Sequence, residues 1–319
     1  MTNLLKFALA GSMLALGATA ANAGAIITNG NITLGVNDEG HLNVGGGTPS
    51  AGTGTLFVGL RDRNNNEATA PGCLCEGWGV ADAVSGETGF ANIDGSGGVF
   101  GLTLISFAST ASTATSVVET PSMRITHSFG PSSVVELYRV DVSIENISTN
   151  DIGDLRYRRT MDWDIEPTAF NEYSTINSGP VGFFIGGNNN GFCSSDPLSP
   201  CNGASAPFID LGPTDHGANF DFSFGTLAAG ATRAFTIYYG AADTEAAALV
   251  AQFAEGIGLY SWGQVNFDPA GRGSPGTSTF IFGFGGVGAP PPPPVPAPAT
   301  IVLFGLGLAG LGLARRRRA

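Results

Sequence analysis

Tyr138-Arg139-Val140-Asp141-Val142-Ser143-Ile144-Glu145-Asn146 decides the fold class. Tyr138, Val140, Val142 and Ile144 alternate with Arg139, Asp141, Ser143 and Glu145, which is the period of an extended chain with one buried face and one wet face. A second strand is read from Leu155 to Glu166, where Leu155, Tyr157, Met161, Trp163 and Ile165 share a face that Arg159 interrupts. Its opposite face carries Arg156, Arg158, Thr160, Asp162, Asp164 and Glu166. The intervening segment from Asn146 to Asp154, with Asn150, Asp151 and Gly153, reads as a hairpin loop.

Further strands are expected at Ala25 to Val36, Thr55 to Leu60, Val99 to Ala108, Met123 to Phe129, Val181 to Ile185, Asn219 to Phe224, Ala231 to Tyr239 and Thr279 to Phe284. Glycine at 48 of 319 residues fits many short strands joined by turns. One helix is expected after Asp243 as N-cap, with Glu245 in its first turn and an apolar stripe of Ala246, Leu249, Val250 and Phe253, ending near Gly256. The fold class is therefore all-β, an antiparallel β-sandwich with one peripheral helix, formed by a single domain over residues 24–288. Fixed-period repeats, and with them a solenoid or propeller, are not expected.

The two ends read as targeting segments. Lys6 precedes an apolar run from Phe7 to Ala20, and Ala21-Asn22-Ala23 has the small-x-small form of a signal cleavage site, so residues 1–23 are expected to be a signal peptide. Residues 289–298 form a proline-rich spacer of polyproline II type. Beyond it, residues 300–314 are uncharged and apolar, a short membrane helix of about 22 Å against a hydrocarbon core of about 30 Å. Arg315, Arg316, Arg317 and Arg318 follow and hold the C-terminus in the cytoplasm.

With Val295, Pro296, Pro298 and Thr300 ahead of the apolar run and the arginines behind it, residues 295–319 resemble the PEP-CTERM sorting signal. Ala297 stands where that signal usually has an acidic residue. The resemblance implies an exosortase-type processing enzyme as partner. It also implies transient anchoring in the inner membrane and a final location at the cell surface, in the outer membrane or outside the cell, among exopolysaccharide-producing bacteria. It says nothing about what the body does.

All 26 acidic residues lie within residues 24–298, as do 9 of the 14 basic ones, so the body carries a formal charge of −17. Such a surface repels phosphates, and nucleic acid is excluded as a partner. Lys6 is the sole lysine, which removes lysine nucleophiles, Schiff bases and Walker-type phosphate binding from the body. Cys193 and Cys201 bracket a polar loop and are expected to pair in an oxidising compartment. Cys73 and Cys75 sit one residue apart; pairing with each other or with the 193/201 loop stays open.

The chemical candidates are Asp162, Asp164 and Glu166, which on one strand face lie about 6.5–7 Å apart in succession. Such carboxylates serve polysaccharide hydrolysis or hold calcium, while the plainer reading is a solvated face neutralised by Arg156 and Arg158. Asp62, Asn64 and Asn66 imitate the start of a calcium loop, but Glu67 replaces its glycine and Cys73 its glutamate. No cofactor is expected beyond that calcium, and His41, His127 and His216 are too scattered for zinc. Trp78, Trp163 and Trp262 are either core residues or a sugar-stacking platform. The expectation is an exported, non-enzymatic surface or matrix protein of structural or adhesive type, with a carbohydrate-active module built on Asp162, Asp164 and Glu166 as the alternative.

Overall fold

The computed structural model describes residues 24–95, 98–178, 182–267 and 274–288. These residues are mostly antiparallel β-sheet with one helix. The signal segment 1–23, the spacer 289–298 and the tail with its membrane segment 300–314 lie outside them. Among the described residues no helix is long and apolar enough to cross a membrane.

In chain order the strands are β1 (Ala25–Thr28), β2 (Thr33–Val36), β3 (Leu60–Arg61), β4 (Gly77–Asp82), β5 (Glu87–Ala91), β6 (Thr103–Ser109), β7 (Ala114–Glu119), β8 (Met123–Pro131) and β9 (Leu137–Asn146). There follow β10 (Ile152–Trp163), β11 (Glu172–Asn177), β12 (Phe184–Asn188), β13 (Phe208–Thr214), β14 (His216–Leu227), β15 (Thr232–Ala242), the helix α1 (Glu245–Glu255), β16 (Leu259–Asn266) and β17 (Pro275–Gly285). A nine-stranded sheet runs β13-β11-β16-β17-β15-β9-β8-β7-β6, a five-stranded sheet β12-β14-β10-β4-β5, and a small one β1-β2-β3.

The two large sheets share one core. Phe220 and Phe222 of β14 meet Phe282 and Phe284 of β17 at ring separations of 5.3 and 4.9 Å, and Tyr157 of β10 meets Phe235 of β15 at 4.9 Å. The alternation that identified β9 holds: Tyr138, Val140, Val142 and Ile144 are buried, and Arg139 and Asp141 are exposed.

Four expectations need correcting. The segment after β9 is no hairpin, because β9 pairs with β8 and β15 whereas β10 pairs with β14 and β4. Residues 147–151 carry the chain from one sheet to the other, pinned by the buried Asn146, whose Nδ2 donates to the carbonyls of Asn150 and Leu227. The run from Ala25 to Val36 is two strands, turned at Gly30 with φ of 92°, a left-handed conformation that glycine adopts freely.

The helix is present but turned about its axis: of the expected stripe Leu249 packs against the sheet, half-buried, and Ala246, Val250 and Phe253 do not. Its N-cap is Thr244, whose Oγ1 accepts the Ala247 amide, while Asp243 pairs with Arg63; Gly256 closes the end in the left-handed region. Ala248, Ala251 and Gln252 are buried, and Val250 and Phe253 stay exposed. The sheet supplies the bulk at this contact through Leu137, Tyr238, Tyr260, Trp262 and Ile281, so the helix side is small.

The polar face of β10 is not wet. Residues 193–201, closed by the Cys193–Cys201 disulfide, fold over it, and Arg158 donates to the carbonyls of Ser194 and Asp196. Cys73 and Cys75 pair with each other, with Cα atoms 5.1 Å apart.

Candidate functional site

β10 ends at Trp163, and the next residues run beside 67–68, with the Asp164 amide donating to the Ala68 carbonyl and that of Glu166 to the Glu67 carbonyl. Antiparallel registry sets Asp162 opposite Gly217 and Trp163 opposite His216. This brings Asp215, at the corner between β13 and β14, to the end of β10. One oxygen from each of Asp162, Asp164 and Asp215 lies within 4.8 Å of the others. Asp162 and Asp164 are buried, and Asp215 is exposed.

Glu166 goes elsewhere. Its carboxylate accepts the amides of Gly52, Thr53 and Glu67 at 3.0, 2.6 and 2.9 Å and the hydroxyl of Ser50 at 2.5 Å. Burial opposes ionisation, but these donors prevail and hold its pKa below the ordinary glutamate value. It anchors the loop at 50–53. Of the three carboxylates read from the strand pattern, two come together and the third is a structural tie.

The expected neutralisation by arginine does not occur. Arg156 pairs with Asp154, Arg158 pairs bidentately with Asp221, and neither reaches Asp162 or Asp164. Both Asp164 oxygens and Oδ1 of Asp162 are buried without a hydrogen-bond partner. Burial, and then the charges of Asp162, Glu172, Asp215 and Glu67, push the Asp164 pKa far up; burial and Asp215 do the same to Asp162.

Glu172, first residue of β11, belongs to the same environment. Its Oε1 accepts the His216 amide at 2.7 Å, its Oε2 has no partner, and burial raises its pKa to about 9 against the help of that amide. His216 is buried with its Nδ1 2.8 Å from Asn189 Nδ2 and its Nε2 unpartnered. Beside Asp215 a shallow depression of about 250 Å3 is lined by Asn189, Asn190, Phe192, Asn202 and Asp215. Asp215, Glu172 and His216 were not singled out for this place. Their only signal was position, acids and a histidine at the ends of strands that neighbour β10 in space but not in sequence.

A second polar cluster lies inside the core. Arg159, which interrupts the apolar face of β10, is fully buried, with its Nε 2.6 Å from Glu76 Oε1. Glu76 also accepts the Tyr239 hydroxyl at 2.7 Å and the Leu42 amide at 2.6 Å. Next to it His127 Nε2 is 3.1 Å from the Tyr157 hydroxyl, against the ring of Trp78. Burial and the Arg159 charge keep His127 far below the ordinary histidine pKa and lower His41 to about 3. The cluster is sealed, so His127 is a core residue.

The remaining candidates are also structural. Trp78 and Trp163 are 0% exposed and Trp262 6%, so none forms a sugar platform. Asp62 accepts the amides of Asn64 and Asn66, and Glu67 pairs with the buried Arg61. This explains the calcium-loop imitation as a turn closed on itself.

Outside the described residues, the tail matches a known family over residues 294–318. The tail is a PEP-CTERM protein-sorting motif. It implies export, membrane-linked sorting and handling by an exosortase-type enzyme. No curated protein matches the chain. Among solved structures the chain is similar to a galactose mutarotase related enzyme from Lactobacillus acidophilus, with 10% identity and a TM-score of 0.30 over 82% of this chain and 85% of that one. At that identity and score no residue of this chain takes a role from the enzyme.

Proposed function

We propose that this chain is an exported surface or matrix protein of structural or adhesive type, whose β-sheet body is carried out behind a signal peptide and sorted by its tail. The observation that carries the reading is the motif at residues 294–318. The chemistry of the body agrees with it. A hydrolytic acid–base pair needs carboxylates that reach substrate from opposite sides, whereas Asp162, Asp164 and Glu166 are each at most 1% exposed and Glu166 is saturated by backbone and hydroxyl donors. The body's two disulfides suit an oxidising exterior. Expression of the full chain in hosts with and without an exosortase-type enzyme tests this. Protease added to intact cells should remove the body only in the first host, and a body protected in both would sink the proposal.

Polysaccharide binding is the second reading. The depression beside Asp215 favours it, since amide side chains and the 53%-exposed Phe192 are groups that hold sugar hydroxyls and a sugar face. Retention on a glycan array, lost in F192A, supports it; no signal on any glycan removes it.

A further inference from the structure

We propose that Asp162, Asp164 and Asp215 hold a calcium ion at the corner where the two large sheets meet, with Glu172 behind them. The proposal stands independently of where the chain is delivered. It begins with size. Calcium takes about six to eight oxygens at about 2.3–2.6 Å in flexible geometry, whereas magnesium demands a near-ideal octahedron and keeps its waters. Three carboxylate oxygens within 4.8 Å of one another are close enough to share one such ion. An all-carboxylate set is hard-cation chemistry.

A second observation does not depend on acidity. Buried polar atoms in folded proteins have partners, yet both oxygens of the 0%-exposed Asp164 and Oδ1 of Asp162 have none. Glu172, outside the trio and also 0% exposed, leaves Oε2 unpartnered beside them. The arginines near β10 cannot serve, since Arg156, Arg158, Arg159 and Arg61 are committed to Asp154, Asp221, Glu76 and Glu67. A cation is the group that satisfies several buried carboxylate oxygens together. The exposed Asp215 gives it a path from solvent.

The placement assigns the ion a structural task. Asp162 and Asp164 extend β10 of the five-stranded sheet, Glu172 opens β11 of the nine-stranded sheet, and Asp215 joins β13 of one to β14 of the other. An ion there ties both sheets at one end of the core. Gly191 backs it closely: a Cβ on that residue would fall 2.6 Å from Asp162 Oδ1.

The test uses the full purified chain, stripped with a chelator, and then titrated calorimetrically and melted with calcium, magnesium or zinc chloride. The expected result is uptake of one calcium per chain with a higher melting temperature, and no shift from magnesium at equal concentration. D215N, at an exposed position, weakens calcium by about tenfold or more, read as a shift in the binding midpoint. D164N abolishes the calcium response and raises the melting temperature of the stripped protein, because an amide replaces a carboxylate that lacks donors. Absence of a calcium response overturns the proposal, as does calcium binding that survives both substitutions. Zinc bound more tightly than calcium and lost in H216A would replace it with a different metal site.

Discussion

Glu76→Gln is the most informative single perturbation of the core. The amide keeps the shape of the side chain and, with its oxygen in the Oε1 place, the acceptor for the Tyr239 hydroxyl, but it turns an NH2 towards the Leu42 amide and removes the charge 2.6 Å from Arg159 Nε. Arg159 then remains fully buried as an uncompensated cation, held only by the Gly40 carbonyl at 3.1 Å, a long contact to Tyr157 and the face of the Tyr239 ring. Breaking one side of a buried ion pair costs about 3–5 kcal/mol. For a chain of this size that is a fall of about 6–20 °C in melting temperature. Calorimetric melting of the purified protein measures it, and a loss below about 1 kcal/mol would refute the claim that, among the described residues, Glu76 is the neutraliser of Arg159. The double variant E76M/R159M sharpens the result. Removing both charges leaves the Leu42 amide, the Tyr239 hydroxyl and the Gly40 carbonyl without these partners but no buried charge, so the double should be more stable than E76Q; a less stable double contradicts the electrostatic origin of the loss.

Glu166→Ala removes the acceptor for three backbone amides and the Ser50 hydroxyl, and should destabilise the protein by about 2–4 kcal/mol while protease finds the loop at 50–53; an unchanged urea midpoint would show that the loop holds itself. Replacing Cys193 and Cys201 together by alanine opens a short loop and should cost about 2–3 kcal/mol, with faster proteolysis of residues 193–201 as the local readout. Acid should act through His41. Its folded pKa of about 3 lies below the ordinary 6.5, so the unfolded chain takes up the proton first, and the stability present above about pH 6.5 is lost as pH falls towards 3. Arg159 and Glu39 face this ring, and the buried carboxylates of the corner titrate with the opposite sign, so the measurement is a difference: wild type should lose about 1.4 kcal/mol per pH unit relative to H41Q. Parallel pH profiles would show that His41 is protonated in the fold.

Where one face of a strand is buried and the other wet, the sequence was readable, as at Tyr138 to Ile144. β4 was missed for the opposite reason: all of Gly77–Asp82 is buried, so alternation has no polar half to show. On β10 the alternation was visible but its meaning was not. Arg156, Arg158 and Asp162 mark a polar face, and only the fold shows that residues 193–201 cover part of it. Arg159 read as a flaw in an apolar face because its partner, Glu76, lies 83 residues away. The helix was found from its cap region and Gly256, but Val250 and Phe253, two of its larger apolar residues, pointed to the wrong face, and only Leu249 of the stripe meets the sheet. Packing against Tyr260 and Trp262 selects small side chains, and sequence periodicity weights large ones. The carboxylate corner was half legible: Asp162 and Asp164 follow from period two, while Glu166 leaves the strand and Asp215 enters through registry between β10 and β14.

The claim that this chain is exported and sorted by its tail is tested most directly by the intact mass and terminal sequences of the protein recovered outside the cytoplasm of a host with an exosortase-type enzyme. The account predicts a chain that begins at Gly24 and lacks Arg315 to Arg318. A chain recovered only from the cytoplasm, still running from Met1 to Ala319, would contradict it.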